Sequence, residues 1–245
     1  SSCVEKLKLT IKSHDINKVI VLAASKRQHG DDKELMHSNN RITQNIVWSL
    51  SDFAGHVTYI SSCAVYGEKN EQSNATESYL INPTSFYGEH KVYSESLYKS
   101  SLDCGKLLLL RPPLIYGPNS AGYDPLGFLK SALTNNTVHL WGEGRELREF
   151  VHVYDASRAI AYLACRGQIG TYNLVSGQSY SYREIVIEIQ RHIPVVVTYR
   201  ERAGSPVNHT YRASSVLRDT MIFPFMSPLQ VVKIELASRI TTNAD

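Results

Sequence analysis

Val57-Thr58-Tyr59-Ile60-Ser61-Ser62-Cys63-Ala64-Val65-Tyr66-Gly67 joins a short apolar, β-prone run to two hydroxyl side chains and a turn. Runs of the same kind occur at Val19-Ile20-Val21-Leu22 and Lys106-Leu107-Leu108-Leu109-Leu110. Near-continuous apolar strands of this length are what a parallel sheet covered on both faces requires. The segments between them, 32–52 and 83–102, read as helices long enough for the crossovers that parallel strands need. The expected fold is therefore α/β, a doubly wound parallel sheet. Ligands bind such sheets beyond the carboxyl ends of the strands, which puts Ser61 and Ser62 at a binding edge.

Working outward, the 245 residues are 42% hydrophobic and 20% charged, a composition that excludes disorder, collagen and coiled coil. Twenty-six basic residues against 23 acidic ones give a net charge of +3 with no basic run, so nucleic acid is not an expected partner. Cys3, Cys63, Cys104 and Cys165 stand far apart, with no pairing at metal-ligand spacing; no metal is expected, and reduced thiols in a cytoplasmic protein are. No run approaches the ~20 apolar residues of a membrane span, so no membrane partner is expected.

Asn82 is placed to cap the second helix, with Pro83 at its first position. Beyond Leu110, a cluster of prolines and glycines marks an irregular excursion up to a helix at 126–134. A strand at 138–141 follows, and Gly142-Glu143-Gly144 reads as a turn, because Leu147 stands where a dinucleotide fingerprint would need a glycine. Asp155 reads as the N-cap of a helix burying Ile160, Leu163 and Ala164. Strands at 171–174 and 195–197 and helices at 182–192 and around Leu229, Val232, Leu236 and Ile240 complete the pattern.

Tyr87 and Lys91 put a phenol and an ammonium on one face of the second helix. In a chain with 15 tyrosines that spacing alone says little; its weight comes from the hydroxyls at the end of the preceding strand. Ser-Ser-x-x-Val-Tyr-Gly at 61–67 is followed by Asn-Pro-x-Ser-x-Tyr-Gly-x-x-Lys at 82–91 and Leu-Arg-Pro-Pro-Leu-Ile-Tyr-Gly-Pro at 110–118. Arg-Glu-Phe-Val-His-Val-x-Asp at 148–155 and Tyr-Asn-Leu at 172–174 then complete the series. In this order the five motifs resemble the extended short-chain dehydrogenase/reductases, and within them the NAD-dependent epimerase/dehydratase family acting on nucleotide sugars.

The resemblance implies a Rossmann-like domain from residues 1–112 and 150–175, and a smaller α/β substrate-binding domain from 113–149 and 176–245. It implies Ser62, Tyr87 and Lys91 as the catalytic set, Tyr87 being the acid/base on a sugar hydroxyl. A free phenol has a pKa of about 10, so work near neutrality asks for a shift of ~3, or ~4 kcal/mol of differential stabilisation. Lys91 and the oxidised nicotinamide ring are the implied sources of that stabilisation. Cofactor contacts carry over to Leu22, Ala23, Ala24, Lys26, Asn40, Tyr87 and Lys91, with NAD favoured over NADP. Arg148 and Arg202, with Ser62, are the implied contacts of a nucleotide-diphosphate sugar, since a guanidinium fork suits phosphate geometry. A homodimer through the helices at 32–52 and 83–102 is also implied.

The family's dehydratases carry an acidic pair where Cys63 and Ala64 stand, so dehydration is disfavoured. A 4-epimerase ranks first. A 4-keto-sugar reductase or epimerase-reductase ranks second, because Leu114 replaces the asparagine common in 4-epimerases and Trp141–Phe150 is similar to the reductases. A non-catalytic relative that senses a dinucleotide is the reading of another class. The glycine turn that opens the family, where backbone approaches the pyrophosphate, has no counterpart in these residues. The first recognisable element, Asp15–Ala23, matches the family's fourth strand, so roughly 60 residues of βαβ structure are expected upstream. This chain by itself is expected to bind dinucleotide weakly or not at all; calorimetry finding micromolar NAD affinity would overturn that expectation.

Overall fold

A computed structural model describes residues 3–25, 30–119, 122–202, 204–220 and 224–242. In chain order the first elements are α1 (Cys3–Ser13), β1 (Lys18–Val21), α2 (Lys33–Ser49), β2 (His56–Ile60), β3 (Gln72–Ala75), α3 (Phe86–Ser101) and β4 (Leu107–Arg111). β5 (Leu114–Tyr116), α4 (Pro125–Asn135), β6 (Thr137–Trp141), β7 (Leu147–His152), α5 (Val153–Cys165) and β8 (Gly170–Asn173) follow. The last are β9 (Ser179–Ser181), α6 (Tyr182–Gln190), β10 (Val196–Arg200), β11 (His209–Tyr211), α7 (Ser215–Arg218) and α8 (Pro228–Thr242).

Contacts divide the chain into two units, the first made of Ser1–Asn70, Glu77–Pro112 and Ala159–Leu174. Its four strands lie parallel in the order β1-β2-β4-β8. Every residue of β2 and β4 is buried: Leu107–Leu110 is continuously apolar, and the polar members His56, Thr58 and Arg111 are buried with the rest. Val21, Val47, Val57, Tyr59, Tyr98, Leu107 and Leu109 form the core between sheet and helices. α2 meets α3 through polar groups: Thr43 and Ser94 hydroxyls 2.9 Å apart, Gln44 Nε2 donating to Tyr93 Oη at 2.7 Å, and Asn40 Oδ1 accepting from His90 Nδ1 at 2.9 Å.

The second unit holds Glu71–Thr76, Pro113–Arg158 and Val175–Asp245. β3 belongs to it because it pairs with β11, and residues 150–158 because β7 pairs with β5 and β9. β6 pairs with β10, and α4, α6 and α8 contribute Leu126, Phe128, Ile185, Ile189 and Val232 to a core that includes Tyr116, Leu140 and Phe150.

Three local expectations are corrected. α3 starts at Phe86, and its cap is Ser85, whose Oγ accepts from Gly88 N at 3.0 Å, rather than Asn82. Asn82 is instead engaged through its backbone, N–H to Val65 O at 3.0 Å. α5 begins two residues before Asp155, whose carboxylate accepts from Met226 N at 2.9 Å and so does not cap the helix. The excursion after Leu110 contains a strand, β5, too short to show an apolar period and defined by its pairing with β7.

One polar network lies inside the first unit. Arg111 at the end of β4 grips Glu95 of α3 through both oxygens, Nε to Oε1 at 2.8 Å and Nη2 to Oε2 at 2.6 Å. Both side chains are nearly inaccessible. Ser61 Oγ donates to Glu95 Oε1 at 2.6 Å, Arg111 Nη1 donates to Tyr66 Oη at 2.9 Å, and Tyr66 Oη donates to Asn173 Oδ1 at 2.7 Å. Burial by itself would raise the Glu95 carboxyl, but the Arg111 hydrogen bonds and charge, with the Ser61 hydroxyl, outweigh it and hold Glu95 below the usual carboxylate range.

Breaking such a pair strands a buried charge, so Arg111→Met and Glu95→Gln are each expected to cost ~3–5 kcal/mol in urea unfolding. Because the folded-state pKa of Glu95 is depressed, its contribution is complete above the ordinary carboxylate pKa and is lost as pH falls through the folded value. The gap between wild type and Glu95→Gln should therefore close in acid; unchanged midpoints for both variants at neutral pH would refute this.

Candidate active site

Beyond Ile60 the chain keeps running beside β4, with Ser61 N donating to Leu110 O at 2.7 Å and Cys63 N to Pro112 O at 2.9 Å. Extended residues face alternate sides, so Ser61 turns inward to Glu95 while Ser62 is half-buried on the other side. Ser62 caps the short 3-10 turn Cys63–Tyr66, its Oγ accepting from Ala64 N at 3.1 Å. Two glycines let neighbouring chain reach this turn. Gly67 sits at φ 91°, and a Cβ there would lie 2.2 Å from Asn82 O. A Cβ on Gly88 would lie 2.7 Å from Ala64 O, so the first turn of α3 rests directly on the turn that Ser62 caps. Tyr87, next to that contact, is half-buried and its N–H donates to Asp31 Oδ1 at 3.0 Å.

Lys91 follows one helical turn later and is 4% exposed. Its Nζ donates to Ile60 O at 2.9 Å and Tyr59 Oη at 3.2 Å, and lies 5.6 Å from the centre of the Tyr87 ring. Neither acceptor carries a charge. Burial pulls the Lys91 pKa down to about 8, with the Glu95 carboxylate pulling the other way. His90 beside it is driven down to about 3 by burial and then by the Lys91 charge, so its imidazole is neutral. The buried ammonium is thus held close to the Tyr87 phenol.

After β1, Leu22 is 69% exposed and Ala23 is exposed, while Ala24 and Ser25 are half-buried. Asn39, which sequence reasoning passed over, clamps this loop: its Oδ1 accepts from Ser25 N at 2.8 Å and its Nδ2 donates to Ser25 O at 3.2 Å. Asn40 is turned to His90 instead, and Lys26 lies outside the described residues. Small, accessible residues at a strand's carboxyl end and a buried lysine with two neutral acceptors fit the nicotinamide-ribose half of a dinucleotide. The residues of this chain offer no glycine turn for its pyrophosphate.

In the second unit, Arg148 Nη1 donates to Leu147 O at 2.8 Å and Val207 O at 2.5 Å, and its guanidinium lies 5.9 Å from the Tyr182 ring centre. Arg202 is paired with the buried carboxylate of Glu146, a partner that the sequence pattern did not single out. Glu149, next to Arg148 on β7, is raised to about 7 by burial although Ser176 Oγ and Gly177 N donate to it at 2.6 and 2.7 Å. Cys63 and Ala64 are buried and provide no carboxyl beside Ser62. Among the described residues no His, Cys, Asp and Glu group is arranged to hold a metal, and no helix is long and apolar enough to cross a membrane.

A parallel α/β sheet with a hydroxyl at a strand end and a Tyr/Lys pair on the next helix defines the short-chain dehydrogenase/reductase class. The chain belongs to the NAD dependent epimerase/dehydratase family, whose model matches residues 4–174. It is 26% identical over 212 residues to the dTDP-4-dehydro-6-deoxy-D-allose reductase of Streptomyces bikiniensis, covering 78% of this chain and 63% of that one. To the UDP-glucose 4-epimerase of Halalkalibacterium halodurans it is 29% identical over 232 residues, covering 80% and 67%. The fold superposes on ADP-L-glycero-D-manno-heptose-6-epimerase from Helicobacter pylori with a TM-score of 0.81 at 24% identity, over 96% of this chain and 75% of that one. The chain thus spans about two thirds of the length of the two curated relatives.

The depressed Lys91 pKa has a thermodynamic sign. From about pH 8 up to the ordinary lysine range the unfolded chain holds more protons than the folded one, so stability rises with pH across that window. Lys91→Met removes the buried cation and is expected to be ~1–2 kcal/mol more stable than wild type near neutral pH, the gain shrinking as pH rises. Urea unfolding over a pH series checks this, and a variant less stable at every pH would contradict it.

Proposed function

We propose that this chain carries the proton-transfer residues and the sugar-nucleotide side of an NAD-dependent nucleotide-sugar 4-epimerase. The observation that carries the reading is the buried Lys91 ammonium, held by neutral acceptors beside Tyr87 on the helix that rests on the Ser62 turn. Bound NAD would accept and return a hydride at the sugar carbon. Tyr87 Oη takes the proton of the reacting sugar hydroxyl and later gives it back, Lys91 stabilises the phenolate and holds the nicotinamide ribose, and Ser62 Oγ orients the reacting oxygen. Leu22, Ala23 and Ala24 line the dinucleotide, while Asn40 is committed to His90. The nucleotide diphosphate falls to Arg148, which pairs with no carboxylate among the described residues, and secondarily to Arg202.

The first unit is thereby assigned to the cofactor and the second, which takes in residues 150–158, to the substrate. The half-exposed Trp48 on α2 suits dimerisation through α2 and α3, and the exposed thiols of Cys3, Cys104 and Cys165 suit a reducing cytoplasm. A second reading, 4-keto-sugar reduction, is favoured by Leu114 in place of an asparagine and by the likeness to a Streptomyces reductase.

In a catalytically competent protein, Tyr87→Phe and Ser62→Ala are each expected to lower turnover at least about tenfold. Near-wild-type rates in both would sink the assignment. An epimerase interconverts sugars without net change in the absorbance of reduced nicotinamide, whereas a reductase consumes reduced cofactor stoichiometrically, so one spectrophotometric assay separates the two readings.

A further inference from the structure

Tyr59 stands inside β2 and is 1% exposed. Its neighbours in the sheet core, Leu107 and Leu109, are aliphatic, and a tyrosine there brings a hydroxyl that must be satisfied. The ring stacks on Tyr98, with centroids 4.5 Å apart and planes inclined by 24°. The stack fixes the ring and with it the place of the hydroxyl oxygen. In that position the oxygen accepts from Lys91 Nζ at 3.2 Å, and the ring face lies 4.9 Å from the same nitrogen.

We propose that Tyr59 is a positioning residue that fixes the place and direction of the Lys91 ammonium, so that its charge is delivered to Tyr87. The proposal rests on the functional reading above for the part played by Tyr87. A lysine stem has many rotamers, and one acceptor would leave the ammonium free to swing. With Ile60 O and Tyr59 Oη both engaged, the remaining N–H has one direction. Phenylalanine would keep the stack on Tyr98 but leave a buried N–H without its acceptor.

The charged and titratable groups around Nζ are Tyr59 from β2, Tyr87, His90 and Glu95 from α3, and Arg111 from β4 through its grip on Glu95. From α2 the facing side chains Asn40, Thr43 and Gln44 are uncharged. Burial pushes Tyr59 well above the ordinary tyrosine range and His90 down to about 3, so neither changes charge while Lys91 titrates.

The test titrates Lys91 by NMR in the full 245-residue chain carrying isotope-labelled lysine Cε, the resonance being assigned by its loss in Lys91→Met. Tyr59→Phe is expected to lower the Lys91 midpoint by about one pH unit, since the charged form loses an acceptor. Tyr98→Phe is the control: it keeps the stack, removes a hydroxyl without a hydrogen-bond partner among the described residues, and should leave the midpoint in place. In the unsubstituted protein the Tyr59 Cζ resonance should move with the Lys91 midpoint, a readout that depends on no variant folding. An unmoved midpoint in Tyr59→Phe, or a Tyr59 resonance silent through the titration, overturns the proposal. Sugar turnover is scored separately, in a catalytically competent protein: a shifted midpoint without turnover there keeps the positioning and removes the proposed function, and turnover with an unshifted midpoint does the reverse.

Discussion

The first unit is organised by a contest for one carboxylate. Glu95 is one helical turn beyond Lys91, a spacing at which a lysine and a glutamate ordinarily pair. Arg111 wins instead, taking both oxygens in a fork at 2.6 and 2.8 Å, and Ser61 fills a further lone pair. Two parallel charge-assisted bonds in a dry setting outweigh the single bond an ammonium could make. A guanidinium also cannot shed its proton to escape burial, while a lysine can. Had Lys91 won, an unpaired Arg111 would sit in the core and the positive charge beside Tyr87 would be cancelled. The pairing that stabilises the sheet is the one that leaves Lys91 electrically unspent.

The same interaction sets which of two adjacent serines faces outward. Extended backbone alternates its side chains, so the Ser61 bond to Glu95 commits Ser62 to the opposite side. The turn beyond is narrow because Gly67 and Gly88 admit carbonyl oxygens where any Cβ would collide. Parity, turn and helix contact therefore form one chain of causes from the ion pair to the hydroxyl that reaches the surface.

Much of this was legible in the sequence because it is periodic. The buried strands are mostly apolar, Leu107–Leu110 without a break, and Tyr87 and Lys91 repeat at the helical interval. What escaped depends on partners distant in the chain. Arg111 looks like the polar end of an apolar strand until Glu95, 16 residues earlier, is folded onto it. Ser85 and Asn82 are equally good caps by residue type, and only the position of the first helical turn decides between them. Asn39 and Asn40 differ by one helical step, about 100°, enough to send one to the loop after β1 and the other to His90. β3, β5, β9 and β11 are three or four residues long, and their pairing rather than their composition makes them strands.

The second unit applies the same electrostatic rule to a pair of arginines that look interchangeable in sequence. Glu146 is buried, and a carboxylate removed from water needs a cation more than any mobile ligand does, so it holds Arg202 and takes up most of its charge. Arg148 is held by two carbonyl oxygens and the face of Tyr182, groups that fix its direction without neutralising it. An anion reaching this unit therefore meets a full charge at Arg148 and a largely cancelled one at Arg202. To bind at Arg202 it would have to displace a buried carboxylate and leave that group unpaired. As with Lys91, the residue suited to act on a ligand is the one whose fixed partners are neutral.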